Sequence, residues 1–385
     1  MPLNDLELQL QELYAPCCDL SHDDLSDPGK GDLPKYLAEM VASIWKEKGF
    51  KEGTINRDVT TEFANRLFSG VEKGYGKKIA ALNYNTPDWH KLASLQKNVW
   101  HFSAAKNYTQ LRQLSNALIG EDGKLRSYSK FKEEAFKINN THINQHLKAE
   151  YQLAVSGAQM AAKWVHIQET KDVLPLLEFD AVMDERTSQI CSGLNGTVLP
   201  VDHPFWQIYY PPNHFLCRST ANQLRAGELT LNPPNADIPK MFQINLGEKG
   251  LIYPPGHSYY VDLPEGVENQ GMAAMRKELY KTAKHQLKDK TVNVKGVGEV
   301  SFTNKGIKEM LNQNHDDIIL KNQLVPFANQ LLKHSHLVHE SPNDLNKELK
   351  FFYLKVDGLK NFFLNVKQTE QGELVLYSIT DKYLK

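Results

Sequence analysis

From about Asp32 to Asp172, apolar residues return every three or four positions, as in Leu37, Met40, Val41 and Ile44 and again in Phe63, Leu67 and Val71. That is the period of helices that bury one face, so this stretch predicts a helical domain. Gly49, Gly53, Gly74 and Gly76 punctuate it, Thr86-Pro87 and Gly120 to Gly123 read as inter-helix turns, and the last helix, Lys130 to Thr170, is expected to be the longest. Between Leu177 and Arg225 the period breaks into short apolar pieces and turn-rich phrases such as LNGTVLPVDHPFW and YYPPNHFLCRS. Residues 231–264 are rich in Pro and Gly and carry no sustained period, so an extended arm or linker that packs on a neighbour is expected there, with its docking on this chain or another left open. A charged helix from about Gly271 to Lys290 follows. Two helices, Lys305 to Asn312 and Ile318 to His334, then precede four strand-like runs, SHLVHE, KFFYLKV, NFFLNVK and LVLYSIT. Asp357-Gly358 and Gln371-Gly372 mark tight connections between them.

The pattern predicts a multidomain chain. A mostly α N-terminal domain with a loop-rich segment is followed by a small α+β C-terminal domain with an antiparallel sheet. The expected divisions are an extension at 1–31, the helical and loop-rich domain at 32–230, arm and helical linker at 231–290, and the sheet domain at 291–385.

Composition narrows the function classes. With 385 residues the chain is long enough for two or three cored domains. Lys+Arg 45 against Asp+Glu 46, a net charge of -1, argues against a strongly basic nucleic-acid coat or a polybasic membrane anchor. Four cysteines, Cys17, Cys18, Cys191 and Cys217, are too few for a disulfide scaffold, and a reducing site of synthesis is expected. The first residues lack the basic and apolar regions of a signal peptide, and no run of about 18 apolar residues occurs, so neither secretion nor a membrane contact is expected.

The stretch from Phe179 to Thr220 concentrates chemistry. Asp184, Arg186, Thr187 and Cys191 form one group, and His214, Cys217 and Arg218 another. Cys191, His203, His214 and Cys217 are ligand types that Zn(II) prefers. Only His214 and Cys217 form a close pair, so buried structural cysteines and a structural zinc site both stay open. Asp184 and Arg186 can pair, and Gly193 and Gly196 suit tight turns. Cysteine catalysis is disfavoured because no group is in view to orient a histidine base.

The pattern D-x-R-T-x-x-x-C-x-x-L-x-G, followed by P-P-x-H-x-x-C-R-S, resembles the phage Mu F-like minor head proteins over roughly residues 40 to 225. Asp184, Arg186, Thr187, Gly196 and Arg218 are the signature positions. The resemblance implies a phage or prophage protein of head morphogenesis, with portal and capsid proteins as partners and the virion head or the host cytoplasm as location.

The C-terminal layout, from SFTNKGIKEML through the FFYLKV and FFLNVK strands to LYSIT, is similar to phage-borne nucleases of the barnase, EndoU, colicin and RelE fold. That resemblance implies metal-independent RNA cleavage with no cofactor and an RNA substrate, and the sequence leaves open whether an immunity protein accompanies it. Strand alternation gathers Tyr353, Lys355, Asn365, Lys367, Ser378 and Thr380 on one face, with His336 and Glu340 sharing a face of the first strand. General acid and base chemistry then assigns His336 or His339 as base or acid and Glu340 as partner, with His334 in reserve. Lys355 or Lys367 would clamp phosphate, and Ser378 or Thr380 would donate a hydrogen bond. Against this, no arginine follows Arg276, and 12 Lys face 11 Asp+Glu from Thr291 onward, so phosphate affinity is weakly supported. GVGEV at Gly296 to Val300 is too short for a phosphate loop, which leaves a transferase unsupported. The leading expectation is a minor head protein carrying an RNase-like effector. The alternative is a purely structural head protein whose C-terminal domain is an inactive partner-binding module.

Overall fold

The computed structural model describes residues 3–14, 31–342 and 349–382, and Cys17 and Cys18 lie outside them. The chain divides into two compact units, residues 1–81 with 94–271 and residues 82–93 with 272–385.

The first unit is built on helices α1 (Leu3–Tyr14), α2 (Leu33–Glu47), α3 (Arg57–Tyr75), α4 (Pro87–Asn116, whose first turns belong to the second unit), α5 (Tyr128–Asn140) and α6 (Lys148–Thr170). A π-helical segment, Thr141–Leu147, joins α5 to α6 without a break, so this is the long helix that the pattern predicts. Local chemistry sets the ends. Asn56 caps α3 by accepting from Val59 N at 3.0 Å, and Gly76, at φ 75°, closes it in the left-handed region where glycine is at ease. Gly74 is not a turn residue. It lies inside α3, where a Cβ would stand 2.0 Å from the Val155 carbonyl oxygen, so its bare backbone lets α3 and α6 cross closely.

The loop-rich segment folds onto α6 as a three-stranded antiparallel sheet ordered β2 (Val198–Pro200), β1 (Leu176–Asp180), β3 (Thr220–Leu224), with two short helices, α7 (Gln189–Leu194) and α8 (Phe205–Tyr209). Leu177, Phe179, Leu194, Trp206 and Tyr210 form its core with Met160, Trp164 and Ile167 of α6. Residues 231–264 dock on this chain, which resolves where the expected arm packs. Ile238, Met241, Phe242, Ile252 and Tyr253 are buried, and Asn98 of α4 bonds Ile252 N, Tyr253 N and Tyr253 O. That segment includes the short helix α9 (Leu246–Lys249), after which α10 (Glu265–Leu287) runs on into the second unit.

The second unit is α+β, as expected. Its six-stranded sheet is ordered β4 (Thr291–Val294), β5 (Gly298–Ser301), β9 (Leu374–Thr380), β8 (Phe363–Gln368), β7 (Lys350–Val356), β6 (Ser335–Pro342). All pairs are antiparallel except β5 with β9, so the expected four-strand meander is extended by a hairpin that joins in parallel. Helices α11 (Asn304–Asn312), α12 (Ile318–Leu324) and α13 (Ala328–Lys333) complete it. Leu354, Val356, Leu364, Val366, Leu376 and Ile379 are buried on one face of the sheet. Gly306 lets α11 approach β9, because a Cβ there would meet Leu376 O at 2.3 Å.

Candidate functional site

Two halves of the loop-rich signature meet in space. Arg218, just before β3, grips Asp184 with both arms of its guanidinium, Nη1 to Oδ2 at 2.7 Å and Nη2 to Oδ1 at 2.5 Å. This corrects the expected Asp184–Arg186 side-chain pair: Arg186 contributes its backbone N–H, 2.9 Å from Asp184 Oδ1. The bonds from Arg218, first, and from the Arg186 N–H hold the Asp184 carboxyl well below the usual carboxylate range. Thr187 closes the loop, accepting from Asp184 N at 2.8 Å and donating to Val182 O. Gly196, at φ 75°, makes the turn that sends its N–H to Phe179 O. Gly193 is helical, inside α7, and makes no turn.

Under this clasp lie three of the four expected metal ligands. Ser188 caps α7 by accepting from Cys191 N at 3.1 Å, which fixes Cys191 in the first turn. The other two ligands share a tight turn in which Cys217 N donates to His214 O and Leu216 adopts φ 62°, a conformation costly for a side chain with a Cβ. The result sets Cys191 Sγ 3.2 Å from His214 Nε2 and 3.6 Å from Cys217 Sγ, with both cysteines buried. Both thiols are free. His214 Nδ1 lies 2.6 Å from Phe215 O, so it carries a proton and donates, and Nε2 faces the sulfurs and the Ser188 hydroxyl at 2.8 Å. Hydrogen bonds from Cys217, first, and then from His214 and Ser188 draw the Cys191 thiol down to about 4 against the opposing effect of burial. The Cys217 thiol is pushed up by its bond to Cys191 and by burial. His203 is not a member: its Nδ1 accepts from Phe205 N, the first residue of α8, at 3.1 Å.

A second cluster was missed in the sequence. The π-helical turn carries His142 and His146, and both are buried with Lys106, Glu150, Tyr14, His257 and Tyr259. Lys106 Nζ pairs with Glu150 Oε1 at 2.7 Å and also donates to His142 O at 3.1 Å, a carbonyl in the π turn. Tyr14 OH donates to Glu150 Oε1 at 2.8 Å and meets His257 Nε2 at 3.0 Å, while His146 Nδ1 meets Tyr259 OH at 2.8 Å. Burial pushes all three histidines down, His257 to about 3. The available signal was His142 and His146 at a spacing of four in a helical stretch.

In the second unit two β-bulges reset the expected faces. Val338 is the extra residue between Leu337↔Leu354 and His339↔Tyr353, so His336 and His339 both fall on the side of Tyr353 and Lys355. Glu340, opposite Phe352, goes to the other side and bonds Lys350, which corrects the expected His336–Glu340 face. Tyr377 is the extra residue of β9, so Leu376 joins Ile379 on the buried face instead of lying with Ser378 and Thr380. Asp357, not Glu340, partners His336, Nδ1 to Oδ1 at 2.9 Å. Lys355 donates to Leu359 O and lies over the Phe363 ring, and Lys367 lies over Phe351 and Tyr377. Their stems cover aromatic surface more than they present a phosphate clamp. Tyr353 and Ser378 are buried, Thr380 Oγ1 donates to Lys382 O, and His334 Nδ1 meets Gln330 O at the end of α13.

Comparison with known proteins bears on both units. Residues 61–222 match the family described as phage Mu protein F like protein. The match covers less than half of the chain. It spans the clasp, the Cys-His-Cys cluster and both histidines of the π turn. The putative capsid assembly protein F of Escherichia phage Mu is 33% identical over 79 residues, which is 20% of this chain and 18% of that protein. The Mu-like prophage FluMu F protein of Haemophilus influenzae is 36% identical over 67 residues, 17% of this chain and 16% of that protein. The chain thus aligns with less than a fifth of the length of either curated relative. Residues 270–377 match large polyvalent protein-associated domain 3, a different domain from the nuclease that the strand phrases resemble. No solved structure matches. Among the described residues, no helix is long and apolar enough to cross a membrane.

Proposed function

We propose that this chain is a minor head protein of a Mu-type tailed phage or prophage and acts in capsid assembly with portal and capsid proteins. The observation that carries the reading is the match of residues 61–222 to the Mu F-like family, reinforced by the likeness to a putative capsid assembly protein. The geometry supports it: Arg218 in one half of the motif grips Asp184 in the other, so the two halves are braced as one unit. The test is co-expression of the full chain with the portal protein of the same element, followed by size-exclusion chromatography. Co-elution that Asp184→Ala with Arg218→Ala weakens supports the reading. Separate elution of two folded proteins, together with normal heads in a deletion strain, would overturn it.

The second unit keeps one further reading, an RNase-like effector acting on RNA and held in check by an immunity protein. It rests on the bulge at Val338, which brings His336, oriented by Asp357, to the same side as His339 and Lys355. Incubating the full chain with total tRNA in EDTA tests it. Cleavage leaving 2',3'-cyclic phosphate, abolished by His336→Ala or His339→Ala, supports the effector reading. No cleavage across a range of pH leaves residues 291–385 as a partner-binding module of the head.

A further inference from the structure

The cluster under the Asp184–Arg218 clasp has the geometry of a metal centre. Zn–S bonds of about 2.3 Å and Zn–N bonds of about 2.0–2.1 Å in a tetrahedron place two sulfurs about 3.8 Å apart and a sulfur and nitrogen about 3.6 Å apart, separations that a shift of a few tenths of an ångström reaches from those observed. Here Cys191 Sγ lies 3.6 Å from Cys217 Sγ and 3.2 Å from His214 Nε2, and all three atoms fall within 4.8 Å of one another. A disulfide needs its sulfurs at about 2.05 Å, well inside the observed separation. The imidazole is also oriented as a ligand. Its Nδ1–H is spent on the Phe215 carbonyl, the kind of outer contact that fixes ring and tautomer at metal sites, and Nε2 is turned to the sulfurs. The backbone invests in the arrangement, since Leu216 is held at φ 62° between His214 and Cys217.

We propose that Cys191, His214 and Cys217 bind one Zn(II) ion, with water in the fourth position beside the Ser188 hydroxyl. Two thiolates and an imidazole suit zinc over the harder calcium and magnesium ions, which take oxygen ligands. The ion fastens the first turn of α7 to the turn before β3, residues 26 apart in sequence, and so closes from the inside the same junction that Asp184 and Arg218 close from the outside. The proposal stands independently of the capsid-assembly reading, because it concerns ligand chemistry alone.

The test uses the full chain. After purification without chelator and gel filtration, bound zinc is measured by elemental mass spectrometry, and metal-free protein is titrated with Co(II). One equivalent of zinc per chain is expected, with the sulfur-to-cobalt charge-transfer band and the strong visible bands of tetrahedral cobalt. Cys191→Ser and Cys217→Ser should each abolish the charge-transfer signature or weaken it severalfold, while His203→Ala, outside the cluster, leaves it unchanged. If a cysteine variant fails to fold, alkylation of the wild type decides: zinc should slow labelling of Cys191 and Cys217 at least tenfold. Folded wild-type protein that binds neither zinc nor cobalt above background, or whose Cys191 and Cys217 are recovered as a disulfide with each other under reducing handling, would overturn the proposal.

Discussion

At the residue scale, buried ionisable groups set the most direct expectation. His142, His146 and His257 are held neutral by burial, facing Lys106, Glu150, Tyr14, Tyr259 and Gln113. Each binds a proton less readily in the folded chain than in the unfolded one, where its pKa is about 6.5. Their contribution to stability is therefore complete above about pH 6.5 and is lost progressively as pH falls toward the folded values, about 3 for His257. Glu150, raised by burial, has the opposite slope, but it is one group against three. The urea midpoint should fall between pH 7 and pH 5, and His257→Gln should flatten that dependence. A midpoint constant across the range would contradict the buried cluster. The clasp gives a second expectation: Arg218→Lys keeps the charge but loses the two-armed grip on Asp184. It should lower the melting temperature nearly as much as Arg218→Ala, and full retention by the lysine variant would show that charge alone suffices.

Elements were legible where a period was unbroken and illegible where one residue altered it. The helical stretch and all four late strands follow directly from spacing, because burial of one face forces apolar residues to recur with the turn or the pleat. Counting by twos along SHLVHE assumed a continuous pleat, and the single extra residue Val338 moved Glu340 to the opposite face. Nothing in the local phrase marks that bulge, since the partner strand fixes the register. Residue type alone groups His203 with the ligands, whereas its ring is engaged locally by Phe205 N. Glycine's poor helix propensity marks Gly74 as a break in the sequence, whereas the close crossing of α6 selects it. Gly74→Ala should destabilise by about 1–3 kcal/mol through overpacking, exceeding the ~1 kcal/mol that alanine gains as a helix former. Gly193→Ala, with open space around its Cβ position in α7, should be neutral or slightly stabilising by chemical denaturation. Equal effects at the two sites would refute the close-crossing account.

For the whole molecule, the Mu F-like match and the match to large polyvalent protein-associated domain 3 fall on different stretches, 61–222 and 270–377. The first carries a motif whose two halves converge on one buried junction, and that convergence was legible as residue types without being legible as geometry. The second was read by its order of elements alone, which many unrelated domains share, and the comparison assigns it to another domain. The proposed role in head assembly is tested most directly by the chain's content in purified heads. Heads and free tails from an induced culture would be separated on a gradient and quantified by mass spectrometry against the portal protein. The chain is expected in the head fraction at a fixed ratio to portal and absent from free tails. A chain confined to the cell lysate, with heads complete and infectious without it, would contradict the account.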